Sequence, residues 1–111
     1  MYLESIINKK HTAFINLCKT YKVDKLYAFG SSITIDFNPE KSDVDLIVKV
    51  DIDDPLDKGD ALLSLWDELE LFFGRKVDLL TEDAIKNPYL KSSIERTKRL
   101  IYDGKREEVL V

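Results

Sequence analysis

Leu3, Ile6, Ile7, Phe14, Leu17, Cys18 and Tyr21 recur at steps of three and four. That is the period of one helical face and predicts a single amphipathic helix from Tyr2 to Tyr21. Cys18 lies on the stripe and reads as a small core residue. His11 lies at its margin, with no acid or cysteine in local register, and reads as structural. From Val23 the period changes to two, with Leu26 and Ala28 on one side and Tyr27 and Phe29 on the other, which predicts a strand that Gly30 ends. Ser31 is placed to cap a short helical turn, and Asp36 to Lys41 form a polar loop. Alternation resumes over Val44 to Val50: Val44, Leu46, Val48 and Val50 take the core face, and Asp43, Asp45, Ile47 and Lys49 the other.

The second half continues the alternation of elements. The acids of 51–54 form a solvated turn, since they lack the glycine and closing glutamate of a calcium loop. Leu62, Leu65, Trp66, Leu69, Phe72 and Phe73 mark a helix from Pro55 to Phe73 that Gly74 stops, and Trp66 reads as a core aromatic. A third strand over 75–80 turns Val77 and Leu79 to the core and Asp78 away. Thr81 caps a short helix, Asn87-Pro88 breaks it, a last helix runs from Tyr89 to Arg99, and Leu100 to Tyr102 closes the chain in extended form. Length and pattern predict one domain over 1–111.

Charge and composition narrow the function. Lys and Arg number 17 against 21 Asp and Glu, a formal net charge of −4, so there is no bulk attraction to nucleic acid and none is expected as a partner. Cys18 is the one cysteine, which excludes an intramolecular disulfide and a cysteine-based zinc cluster. No apolar run is long enough to span a membrane and the N-terminus lacks a signal-peptide pattern, so a cytoplasmic protein is expected. Lys91, Arg96, Lys98, Arg99, Lys105 and Arg106 make the C-terminal quarter basic, which reads as a solvated helix face ahead of a docking surface or a triphosphate clamp.

The chemistry gathers at three acids. Asp43 and Asp45, two apart on a strand, point to the same face, where they repel unless a cation lies between them. Mg²⁺, which takes hard oxygen ligands, suits that demand. Asp is depleted in strands, so an acid inside this β-branched run marks a candidate site. The alternatives are a loop cap for Asp43 and an exposed edge position for Asp45. A strand, a crossover helix and a returning strand lie parallel when adjacent, which would bring Asp78 beside the pair and make a site that two metal ions could share. Gly30-Ser31 offers free N–H groups to a phosphate, or is simply a turn and a cap.

Gly30-Ser31, then Ser42-Asp43-Val44-Asp45-Leu46, then the lone acid in Arg75-Lys76-Val77-Asp78-Leu79, resembles the minimal nucleotidyltransferases of the DNA polymerase β superfamily, of the MntA-like antitoxin type. The likeness runs from about Leu26 to Tyr102, although Ser32-Ile33-Thr34-Ile35 replaces the arginine and glycine that commonly follow the Gly-Ser turn. The resemblance implies a nucleotidyltransferase fold of α/β (α+β) class: a mixed sheet of three to four strands flanked by helices, in the order α-β-α-β-α-β-α. It implies that Gly30, Ser31 and Ser42 serve nucleotide binding and that Asp43, Asp45 and Asp78 are catalytic. In that scheme Asp43 and Asp45 hold two Mg²⁺ ions, Asp45 shared between them, and Asp78 binds the second ion or activates the attacking hydroxyl. The implied reaction moves AMP from ATP, a nucleoside triphosphate, to an acceptor hydroxyl. The acceptor implied is a tyrosine of a HEPN-type toxin, which makes the chain an antitoxin and leaves room for a homo- or hetero-oligomer. The alternatives are an antitoxin acting by contact alone and nucleotidyl transfer to a small molecule.

Overall fold

The computed structural model describes residues 2–30 and 43–110. The elements are α1 (Tyr2–Lys9), α2 (His11–Thr20), β1 (Val23–Phe29), β2 (Val44–Val50), α3 (Pro55–Phe73), β3 (Val77–Leu80), a 3₁₀ turn (Glu82–Ala84), α4 (Pro88–Thr97), β4 (Arg99–Asp103) and β5 (Glu108–Val109). The strands form one mixed sheet in the order β3-β2-β1-β4-β5. β1 runs antiparallel to both β2 and β4, while β2 and β3 are parallel. The expected α/β class and mixed sheet are therefore present, and among the described residues the sheet has five strands rather than three or four.

The core lies on one face of the sheet. Leu26, Ala28, Val44, Leu46, Val48, Val77 and Leu79 meet Leu3, Ile7, Phe14 and Cys18 of the N-terminal helices and Leu65, Leu69 and Phe73 of α3. Phe14 is the hub, with ring centroids 5.2 Å from Phe72, 6.4 Å from Phe73 and 6.4 Å from Tyr102. Each buried Leu or Phe in such a cluster contributes about 1.5–3 kcal/mol. Burial pushes the Cys18 thiol up to about 12, which keeps it protonated, as a small apolar core residue requires.

The first helix departs from expectation. Lys10 (φ −126°, ψ 45°) leaves helical geometry and splits the predicted run into α1 and α2. Its ammonium donates to the Phe72 carbonyl at 2.9 Å and lies 4.5 Å from the centre of the Phe72 ring. That carbonyl sits in the last turn of α3, where it has no intrahelical donor. His11 is exposed at the start of α2 rather than at the margin of the core.

α3 matches its expected bounds because its signals are local. Asp54 caps it by accepting from the amides of Leu56 (2.8 Å) and Asp57 (3.2 Å). Pro55 occupies the first turn, and Gly74 ends the helix in the left-handed region at φ 67°. Asn87 does more than break a helix: it caps α4, accepting from Tyr89 and Leu90. The helix expected after Thr81 is only a 3₁₀ turn. The helical turn expected at Ser31 lies outside the described residues.

Candidate active site

β2 and β3 pair in register, with Val44 opposite Val77, Asp45 opposite Asp78 and Leu46 opposite Leu79. The two acids are therefore direct neighbours on the face turned away from the core, as the alternation requires. On the other side of β2, Asp45 stands opposite Phe29 of β1. Gly30 follows at φ 63°, and a Cβ placed on it would fall 2.6 Å from Asp45 Oδ2. Any side chain there would meet the carboxylate and would also have to adopt a left-handed backbone. Gly30 thus leaves the Asp45 carboxylate its room.

Asp45 responds to this crowding. Burial, then the charges of Asp78 and Asp43, then a hydrogen bond with the Asp78 carboxyl raise its pKa to about 6. Asp43 stands just before β2 and has its own counter-ion, with Lys76 Nζ 3.9 Å from its Oδ2. Its backbone neighbour Val44 donates to the Lys76 carbonyl at 3.0 Å, which ties the start of β2 to the start of β3. Among the described residues, no three His, Cys, Asp or Glu side chains close into a ready-made metal group. What the strands assemble is a tight pair, Asp45 and Asp78, with Asp43 beside it. Ser31 and Ser42 lie outside the described residues.

Three further side chains stand out from what the sequence suggested. Trp66 is only half-buried, and its indole N–H donates to the Val77 carbonyl at 2.6 Å. Glu70 accepts from the Val77 amide at 3.0 Å. Lys98 departs from the solvated basic face: its side chain is 14% exposed, contacts Glu95 (3.1 Å) and Glu82 (3.6 Å), and lies 4.2 Å over the Tyr27 ring. The other C-terminal cations, Lys91, Arg96, Arg99, Lys105 and Arg106, are exposed. A concavity of about 570 Å³ at the far end of β1 and β2, lined by Lys19, Lys49, Asp51 and Tyr102 among others, includes none of the three acids.

An acid pair in register on parallel strands, beside a glycine that ends the neighbouring strand, places the molecule among nucleotidyltransferase-type domains. Residues 13–101 match the family model of the nucleotidyltransferase domain, and the chain belongs to that family; it is a nucleotidyltransferase. A relative from Methanocaldococcus jannaschii bearing the name "Putative protein adenylyltransferase" is 38% identical over 96 residues, covering 86% of this chain and 90% of the relative. A solved structure named "putative minimal nucleotidyltransferase" superposes with a TM-score of 0.58 at 26% identity, covering 84% of this chain and 90% of that one. A complex of a tri-AMPylated Shewanella oneidensis HEPN toxin with its MNT antitoxin gives 0.53 at 20% identity, over 86% of this chain and 71% of that one. At that identity the likeness is one of fold.

Proposed function

We propose that this chain is a Mg²⁺-dependent adenylyltransferase that moves AMP from ATP to a hydroxyl of a partner protein, and that the partner is a HEPN-type toxin which the modification restrains. The observation that carries the reading is the Asp45–Asp78 contact. Two carboxylates stand in register, and burial with the neighbouring acids drives one of them to keep its proton up to about pH 6, so the pair concentrates negative charge at one point of the sheet. Their hard oxygen donors fit a divalent cation, and Gly30 keeps a side chain out of the space beside them. Asp43, Asp45 and Asp78 would hold the ion or ions; a bound pair would stabilise the attacking and leaving oxygens of an in-line displacement. In the transfer, the acceptor oxygen bonds to the α-phosphorus, the bond to pyrophosphate breaks, and the hydroxyl proton passes to a carboxylate, the role we assign to Asp78 where it does not hold the second ion. Gly30, with Ser31 and Ser42, would take the phosphates. The protein acceptor is supported by the name of the M. jannaschii relative, and the toxin by the AMPylated complex that shares the fold.

The test is transfer of label from α-labelled ATP, with Mg²⁺, in a lysate of the source organism. A labelled protein band is expected, absent with γ-labelled ATP and absent with Asp45→Asn. Label transferred by Asp45→Asn at the wild-type rate would overturn the site assignment. No labelled protein, with intact binding of Mg²⁺ and ATP, would overturn the protein acceptor.

A further inference from the structure

Among the described residues, β3 is an outer strand of the sheet, four residues long, and its backbone is paired by β2 on one side. On its open side α3 supplies what a neighbouring strand would. The Val77 N–H donates to Glu70 Oε2 at 3.0 Å, and the Val77 carbonyl accepts from Trp66 Nε1 at 2.6 Å. Trp66 and Glu70 are four residues apart on one helix face, so they grip both polar groups of a single strand residue. The carbonyl that Trp66 holds belongs to the peptide carrying the nitrogen of Asp78. A short edge strand held on one side is the kind of segment that opens locally. A shift of the Val77–Asp78 segment relative to β2 would carry the Asp78 Cα, and with it the carboxylate, out of register with Asp45.

We propose that Trp66 and Glu70 are positioning residues: by fixing the Val77 peptide groups from α3, they hold Asp78 at the distance from Asp45 that cation binding needs. The role rests on the reading of Asp45 and Asp78 as the acid site. Neither side chain touches a reacting atom. Trp66 acts as a donor as well as a ring that fills space, and Glu70 acts as an acceptor whose charge is incidental. This separation makes the role testable.

The experiment measures Mn²⁺ binding to the full chain without nucleotide, which would itself take up the ion, by the loss of the free-ion paramagnetic resonance signal, together with amide exchange and thermal melting. Trp66→Phe keeps the bulk and loses the donor; Glu70→Ala loses the acceptor; Glu70→Gln keeps an acceptor oxygen without the charge. Trp66→Phe and Glu70→Ala are each expected to weaken Mn²⁺ binding by about tenfold, the lower end of what loss of an outer-shell contact does at metal sites. They are also expected to speed exchange at the amides of Val77 and Asp78. Glu70→Gln is expected to bind Mn²⁺ as the wild type does. Variants that melt earlier but bind Mn²⁺ normally would overturn the proposal and leave a merely structural tie. Glu70→Gln behaving like Glu70→Ala would overturn it too. Asp78→Asn separates the two levels. If it weakens Mn²⁺ binding while the α3 variants do not, only the positioning role falls. If it has no effect, the acid-site reading falls and the positioning role with it.

Discussion

Asp45 is where the residue scale is most exposed to test. Its carboxyl is raised to about 6 by burial first, then by Asp78 and Asp43. Between the ordinary carboxylate range near 3.9 and about 6, the folded protein keeps a proton that the unfolded chain has lost. Stability of the cation-free protein therefore falls as pH rises through that window and stays lower above it. Asp45→Asn, which cannot ionise, is expected to melt at a higher temperature than the wild type at pH 7–8 in a chelator, and the advantage is expected to vanish below about pH 4. Thermal scans across that range check it; equal melting at pH 8 would refute the crowding of the three acids. Much of this was legible in the sequence. The period of two puts Asp43, Asp45 and Asp78 on the face away from the core, and an acid inside an apolar strand run marks Asp45 and Asp78. The ion pair of Asp43 with Lys76 was not, since it depends on how two strand starts abut.

At the scale of elements, legibility follows how local the signals are. α3 could be bounded from Asp54, Pro55 and Gly74 because cap, first turn and stop are neighbours in sequence. Asp54→Ala removes an acceptor shared by two amides and is expected to cost about 1 kcal/mol, read as a lower denaturant midpoint with an unchanged slope. The break at Lys10 could not be read, because the carbonyl that its ammonium reaches is 62 residues away. β5 could not be read either: two residues carry no period, and only the pairing of Val109 with Tyr102 makes them a strand. The apolar spacing of Trp66 reads as packing alone and hides a donor whose partner lies on β3.

At the scale of the whole molecule, the antiparallel pairing of β1 with β2 and the parallel crossover to β3 bring a strand end and two strand starts to one corner of the sheet. A ligand bound there should stabilise all three strands together. Mg²⁺ with ATP at about one hundred times its dissociation constant is expected to add about 2.7 kcal/mol, a rise in melting temperature on the order of 10 °C for a domain of this size, and Asp45→Asn is expected to abolish the rise. A differential scanning experiment with and without nucleotide decides it. The crossover was legible from the strand-helix-strand order, whereas the place of β4 beside β1 was not, since no short-range signal says which edge a closing strand joins.

The grip of α3 on Val77 has a further consequence for how the molecule behaves in company. A sheet with bare outer edges is a template on which other chains can add strands, and long runs of such additions end in fibrils. Here one outer strand has polar backbone groups taken by Trp66 and Glu70, and the other is two residues long. The two side chains that hold an acid in place also occupy, at Val77, backbone groups that an added strand would need.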